Sequence, residues 1–120
     1  MVLTILAVSC LLGGCSQSSD PTPPPPVETT GSIKVVNNHL LYIIDWAGVF
    51  DDRGNKLYET ANRENIDIGG SKTFSRINPG IYYVQVVDET GTNYQTSTVT
   101  TVRAGEVSTV TFTARGLANN

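Results

Sequence analysis

Five of the six prolines in this 120-residue chain stand between Pro21 and Pro26, and that cluster decides which part of the chain can fold. Proline has a fixed φ and no backbone N–H, so this run joins neither a helix interior nor a sheet ladder. With its flanks it reads SQSSDPTPPPPVETT over residues 16–30. Such a stretch favours polyproline II at about 3.1 Å per residue and reaches on the order of 45 Å. It has too little apolar surface to build a core and reads as a disordered, semi-stiff spacer. The foldable part is therefore residues 31–115, with 116–120 expected as a disordered tail.

Upstream of the prolines, residues 2–12 form an uncharged apolar run, VLTILAVSCLL. As a helix it would rise about 16 Å, roughly half the hydrocarbon thickness of a bilayer. That is too short to span and has the length of a secretory h-region. Leu12-Gly13-Gly14-Cys15, followed by Ser16, comes next. These residues resemble the lipobox of bacterial lipoproteins. The resemblance implies a signal peptide over 1–14, a lipid on the Cys15 thiol and amine, and a linker over 15–30. Cys10, preceded by Ala7-Val8-Ser9, fits the pattern less well. In Gram-negative members of that family an Asp after the cysteine favours retention in the inner membrane. Ser16 here implies the outer membrane, at its periplasmic face or at the cell surface. Two or three acyl chains would hold the protein on a bilayer, where one would bind weakly and reversibly.

The remaining sequence reads as β throughout. Residues 32–37 (SIKVVN) alternate, 40–50 (LLYIIDWAGVF) are apolar on both faces at their start, and 81–88 (IYYVQVVD) form the clearest strand. A strand is expected around Lys72-Thr73-Phe74, and 56–65 as a short helix or an irregular crossover with a brief strand. Residues 93–103 and 107–113 are expected to close the domain as a hairpin about Ala104-Gly105-Glu106. Eight of the 22 residues from Thr92 to Thr113 are Thr, which suits a solvated pleat. About seven short strands punctuated by turns predict an all-β fold, a single small antiparallel β-sandwich of immunoglobulin-like or transthyretin-like type. Alternation places Tyr82, Val84 and Val86 on one inward face and Val110, Phe112 and Ala114 on another. Tyr42, Ile44, Trp46 and Phe50 are expected on one side of the long strand, with Ile33, Val35, Ile68 and Phe74 completing the core.

Gly70-Ser71-Lys72-Thr73-Phe74, then Asn78-Pro79-Gly80-Ile81-Tyr82-Tyr83-Val84-Gln85-Val86, and the closing Ala104-Gly105-Glu106 with Val110-Thr111-Phe112, resemble secreted modules of the carboxypeptidase-regulatory-like, transthyretin-like and PEGA types. The resemblance covers about half the domain and implies a β-sandwich. Most modules of that style are not enzymes, and fold alone assigns no activity.

The titratable residues point the same way. Eight basic against eleven acidic residues exclude the clustered positive charge that nucleic-acid binding needs. Asp20 and Glu28 lie in the spacer, so the domain carries 8 basic against 9 acidic residues and is nearly neutral. One His and two Cys, both within the first fifteen residues, cannot build a Cys/His zinc cage. No phosphate loop or nucleophile elbow is present. Asp51, Asp52 and Asn55 read as an ordinary Asp-Gly turn and not as a calcium loop, so no metal and no cofactor is expected. His39 is expected as an exposed turn residue without a catalytic role. Asp45 interrupts an apolar strand and is expected on the solvated face. Tyr83, Tyr58 and Tyr94 are candidate exposed aromatics for an interaction surface.

The sequence therefore leads to the expectation of a non-enzymatic envelope lipoprotein whose tethered sandwich serves interaction or assembly. Its partner would be another envelope protein or a glycan. A carbohydrate-binding surface module, with Tyr83 or Trp46 exposed, is the first alternative, and a small hydrolase built on Asp45 or His39 the second.

Overall fold

A computed structural model describes residues 27–119; the expected signal, the expected lipid attachment at Cys15 and the proline cluster lie outside the described residues. Among the described residues nine strands follow in order: β1 Gly31–Asn37, β2 Ile44–Asp51, β3 Lys56–Glu59, β4 Ser71–Ile77, β5 Gly80–Asp88, β6 Asn93–Gln95, β7 Thr100–Val102, β8 Val107–Thr113 and β9 Gly116–Asn119. They build two sheets of a β-sandwich. Sheet one has the order β9-β8-β1-β4, and sheet two the order β3-β2-β5-β6 with β7 also pairing β5.

The all-β expectation holds, with four corrections. First, β1 and β8 run parallel, Ser32 opposite Val107 through Asn37 opposite Phe112, so the sandwich is mixed. Second, residues 93–113 are no hairpin. β7 pairs with β5 in sheet two while β8 pairs with β1 in sheet one, so the turn at Arg103–Glu106 crosses between sheets. Third, 116–119 form an edge strand on β8 rather than a tail, because Leu117 pairs with Phe112 and is buried under the sandwich. Fourth, residues 40–43 leave the long apolar run, because the side chains of Asn37, His39 and Glu89 capture their backbone groups.

The core lies between the sheets. Ile33 and Val35 of β1, Phe74 and Ile77 of β4, and Val110 and Phe112 of β8 face Ile44, Ala47 and Val49 of β2 and Tyr82, Val84 and Val86 of β5. Ile68 and Ala114 stay exposed instead of joining them. At Asn78-Pro79-Gly80 the chain changes sheets, and the Tyr82 hydroxyl donates back to the Asn78 carbonyl. This is a tyrosine corner, a device of Greek-key sandwiches. Burial pushes the Tyr82 phenol up, helped by Tyr58 and Asp51.

Gly31 explains where the spacer enters. A Cβ there would lie 2.3 Å from the Arg103 carbonyl oxygen and 2.8 Å from Val102 Cγ1. Only glycine lets the first residue of β1 sit this close to the crossover turn. The spacer thus joins the domain at the end holding 52–55, 78–79 and 103–106, opposite the end holding 38–43, 60–70 and 89–92.

Candidate functional site

The outer face of sheet two carries the aromatic residues that the core does not use. Its key is a β-bulge. Ile44 pairs with Asp88 but Trp46 pairs with Val87, so Asp45 is an extra residue on β2 and the strand's alternation changes phase there. Ile44 points inward, Asp45 and Trp46 both face solvent, and Ala47 and Val49 return to the core. The expectation that Trp46 and Phe50 share the inward side of Ile44 fails for this reason: a period of two cannot be carried across a bulge.

Trp46 then lies flat on the sheet. A Cβ on Gly48 would meet Trp46 Cη2 at 2.5 Å and Cζ2 at 2.7 Å, so the indole rests directly over the Gly48 backbone. Its Nε1–H donates to Glu59 Oε1 at 2.9 Å, and Lys56 Nζ lies 5.9 Å from the ring centroid and 3.2 Å from the same carboxylate oxygen. The Trp46 and Lys56 bonds hold the Glu59 carboxyl below its ordinary range. Phe50 stands edge-on to Trp46 at 6.2 Å and pairs across the sheet with Tyr83. Trp46, Phe50 and Tyr83, all half-buried, form an aromatic strip beside the amides of Gln85 and Asn93, which are bonded to each other.

A groove of about 680 Å³ opens at the Trp46 end of this strip, lined by Asp45, Trp46, Glu59, Asn62, Arg63 and Glu64, with Thr60, Ala61 and Lys72 completing it. The turn that walls it is braced. Ala61 N–H donates to Glu64 Oε1 at 2.8 Å, Glu64 N–H donates to the Ala61 carbonyl at 2.9 Å, and Lys72 Nζ reaches Glu64 Oε2 at 2.7 Å. Lys72 first, then the Ala61 amide, keeps the Glu64 carboxyl ionised below its ordinary range. Within this turn Arg63 adopts φ 67°, a left-handed conformation that costs a non-glycine residue about 1–2 kcal/mol. A second hollow, of about 360 Å³, lies at the other end beside Phe50, Tyr83, Asp51, Asp52, Gln85 and Gln95.

The four candidate residues divide. Tyr83 and Asp45 are on the outer face as expected. Tyr58 and Tyr94 are half-buried as well, but on the other side of the sheet, packed against the core from edge strands β3 and β6. Tyr58 OH donates to the Arg76 carbonyl at 3.2 Å, and Tyr94 lies 4.9 Å from Phe112 with its hydroxyl 3.2 Å from Asp88 Oδ2. They sit inward because they pair with inward residues, Val49 and Val86. Asn62 and Arg63 were not legible as site residues, and Trp46 was expected at the surface only under the carbohydrate-binding alternative. The available signals were an Asp-Trp pair inside an apolar run and a glycine two residues after the tryptophan.

His39 also departs from expectation, being buried with 6% exposure. It stacks on Phe112 at 4.9 Å, and its Nδ1 accepts the Leu41 and Tyr42 amides at 3.0 and 3.2 Å. Both the ring face and one nitrogen are engaged in structure. Among the described residues no group of three His, Cys, Asp or Glu side chains could hold a metal ion.

Asp88 is buried at the end of β5, 1% exposed. Burial alone would raise its carboxyl, but the Thr90 side chain, the Thr92 and Thr90 amides and the Tyr94 hydroxyl outweigh that and leave it below the ordinary value of 3.8. A carboxyl depressed in the folded state contributes stability above its unfolded pKa and loses it as pH falls toward the folded value. Asp88→Asn is therefore expected to cost about 2 kcal/mol at neutral pH through its charge-assisted bonds. It should also flatten the loss of stability that the wild type shows below about pH 4. Urea titrations between pH 7 and pH 2 check both, and equal acid slopes for the two proteins would contradict the assignment.

No protein-family model matches the chain, and no curated protein matches it. Among solved structures it is similar to an NMR structure of a protein from Eubacterium rectale, with a TM-score of 0.53, 14% sequence identity, and coverage of 77% of this chain and 87% of that one. At that identity the likeness concerns the fold.

Proposed function

We propose that this chain is a membrane-anchored envelope lipoprotein whose sandwich is a non-catalytic binding module. Cys15 carries the lipid, residues 16–30 hold the domain clear of the bilayer, and Ser16 directs it to the outer membrane in a Gram-negative cell. The observation that carries the reading is the outer face of sheet two. Three aromatic side chains, Trp46, Phe50 and Tyr83, stand on the solvent side of a sheet whose other side already has a full core. Aromatic residues left on one face, rimmed by polar groups, are what interaction surfaces use. His39 and Asp88, the buried imidazole and carboxyl among the described residues, are both spent on holding turns, which supports a binding role over a hydrolytic one.

Cys15→Ser expressed as the full chain tests the anchor. The wild type is expected to sediment with membranes and to incorporate an alkyne-tagged fatty acid. The variant is expected to lose the label and to remain unprocessed at residue 14. Retention of the label by Cys15→Ser, or its loss in Cys10→Ser instead, would remove Cys15 from the proposal.

A further inference from the structure

We propose that the Trp46 groove binds a pyranose unit of a neutral glycan, with the sugar ring stacked on the indole and its hydroxyls on Asp45, Asn62 and Arg63. The inference rests on the tethered-module reading and names the ligand class for its binding face. Three observations carry it. The indole is laid flat over Gly48 with its Nε1–H already committed to Glu59, so it offers a plane rather than a projecting donor. Flat apolar ring faces match the C–H face of a pyranose.

The second observation is the hydrogen-bonding inventory. Asp45, Asn62 and Arg63 line the groove without a partner among the described residues. A carboxylate accepts, a guanidinium donates and an amide does both, the combination that hydroxyl groups require. The third is charge. Glu64 is paired with Lys72 and Glu59 with Lys56, leaving Asp45 and Arg63, whose charges cancel. A polyanion would meet the three carboxylates and a polycation the arginine and two lysines, whereas a neutral polar ligand meets no opposed field. Left-handed Arg63, held by the braced 61–64 turn, fits the pattern in which backbone strain is kept at functional positions. The groove's volume also falls within the roughly 300–1,000 Å³ of small-ligand sites.

Trp46 is the chain's single tryptophan, so its emission reports this groove alone. The full chain, in a zwitterionic detergent without a sugar headgroup, is titrated with neutral hexasaccharides of glucose, mannose, galactose and N-acetylglucosamine. At least one is expected to shift or quench the emission saturably with a Kd of about 1 mM or below. Asp45→Ala is expected to weaken that binding about tenfold. Arg63→Gly, which relieves the left-handed strain, should weaken it about fivefold without loss of folded protein. Tyr94→Phe on the inward side should leave affinity unchanged, and calorimetry should find no binding to Trp46→Ala.

Silence of Trp46 to every hexasaccharide at about ten times that concentration, or full-strength binding by Asp45→Ala or Trp46→Ala, overturns the inference. Membrane release of Cys15→Ser together with that silence would leave the tethered module standing and remove only the glycan.

Discussion

Asn37→Ala is expected to destabilise the domain by about 3–5 kcal/mol, a loss of about 15–25 °C in Tm for a domain of this size. Asn37 is fully buried at the end of β1. Its Nδ2 donates to the Tyr42 and Ile66 carbonyls at 3.0 Å each, and its Oδ1 accepts the His39 amide at 3.0 Å. Alanine leaves the Tyr42 carbonyl and the buried His39 amide without partners, at about 1–3 kcal/mol each before relaxation, and takes from the Ile66 carbonyl one of its two donors, the Ile44 amide remaining. Asn37→Asp separates the components: it keeps the acceptor for His39 but sets a carboxylate against two carbonyl oxygens, and should cost at least as much as alanine. Urea denaturation followed by Trp46 emission checks both, and a loss under about 1 kcal/mol would show that water replaces the amide freely.

The same residue explains why the sequence misled at 40–43. LLYIIDW has the composition of a strand, and nothing in its periodicity shows that a side chain five positions before Tyr42 captures its backbone. The Tyr42 carbonyl goes to Asn37, the Leu41 and Tyr42 amides go to His39 Nδ1, and the Ile43 amide goes to Glu89 Oε2. These polar groups find side chains before they find a neighbouring strand. Leu40 and Leu41 are left 82% and 68% exposed at the end of the domain away from the spacer.

Strands were legible where alternation ran uninterrupted and a turn residue closed them. Over 81–88 the inward residues Tyr82, Val84 and Val86 follow directly from the letters, and 32–37 behaves likewise. Legibility stops where alternation is broken by geometry. The extra residue at Asp45 moves Trp46 to the surface, and left-handed Arg76 bends β4 so that Phe74 and Ile77, three apart, both point inward. Sheet membership is non-local as well: Thr-rich 93–113 suits either sheet, and only the pairing of β8 with β1 decides the crossover. The candidate site inherits this limit, because its platform exists only through the bulge and through Gly48.

Phe112→Ala is expected to cost about 3–5 kcal/mol, and the loss should be felt first at the 38–43 loop. Phe112 is the largest fully buried side chain among the described residues. It pairs with Asn37 across the parallel strands and lies 4.9 Å from both the His39 and the Tyr94 ring. Truncation removes its transfer free energy and opens a cavity. It also removes two aromatic pairs worth about 0.5–1.5 kcal/mol each. Phe112→Leu fills most of that volume and should cost about 1–1.5 kcal/mol, so the difference between the two variants measures the cavity. Because His39 orients the Leu41 and Tyr42 amides through Nδ1 while resting on Phe112, a loosened imidazole should speed hydrogen exchange at those two amides. Exchange at the Trp46 and Gly48 amides on the opposite sheet should rise only with global unfolding. Uniform acceleration across both sheets in Phe112→Ala would show that the ring supports the whole core and not this end of it.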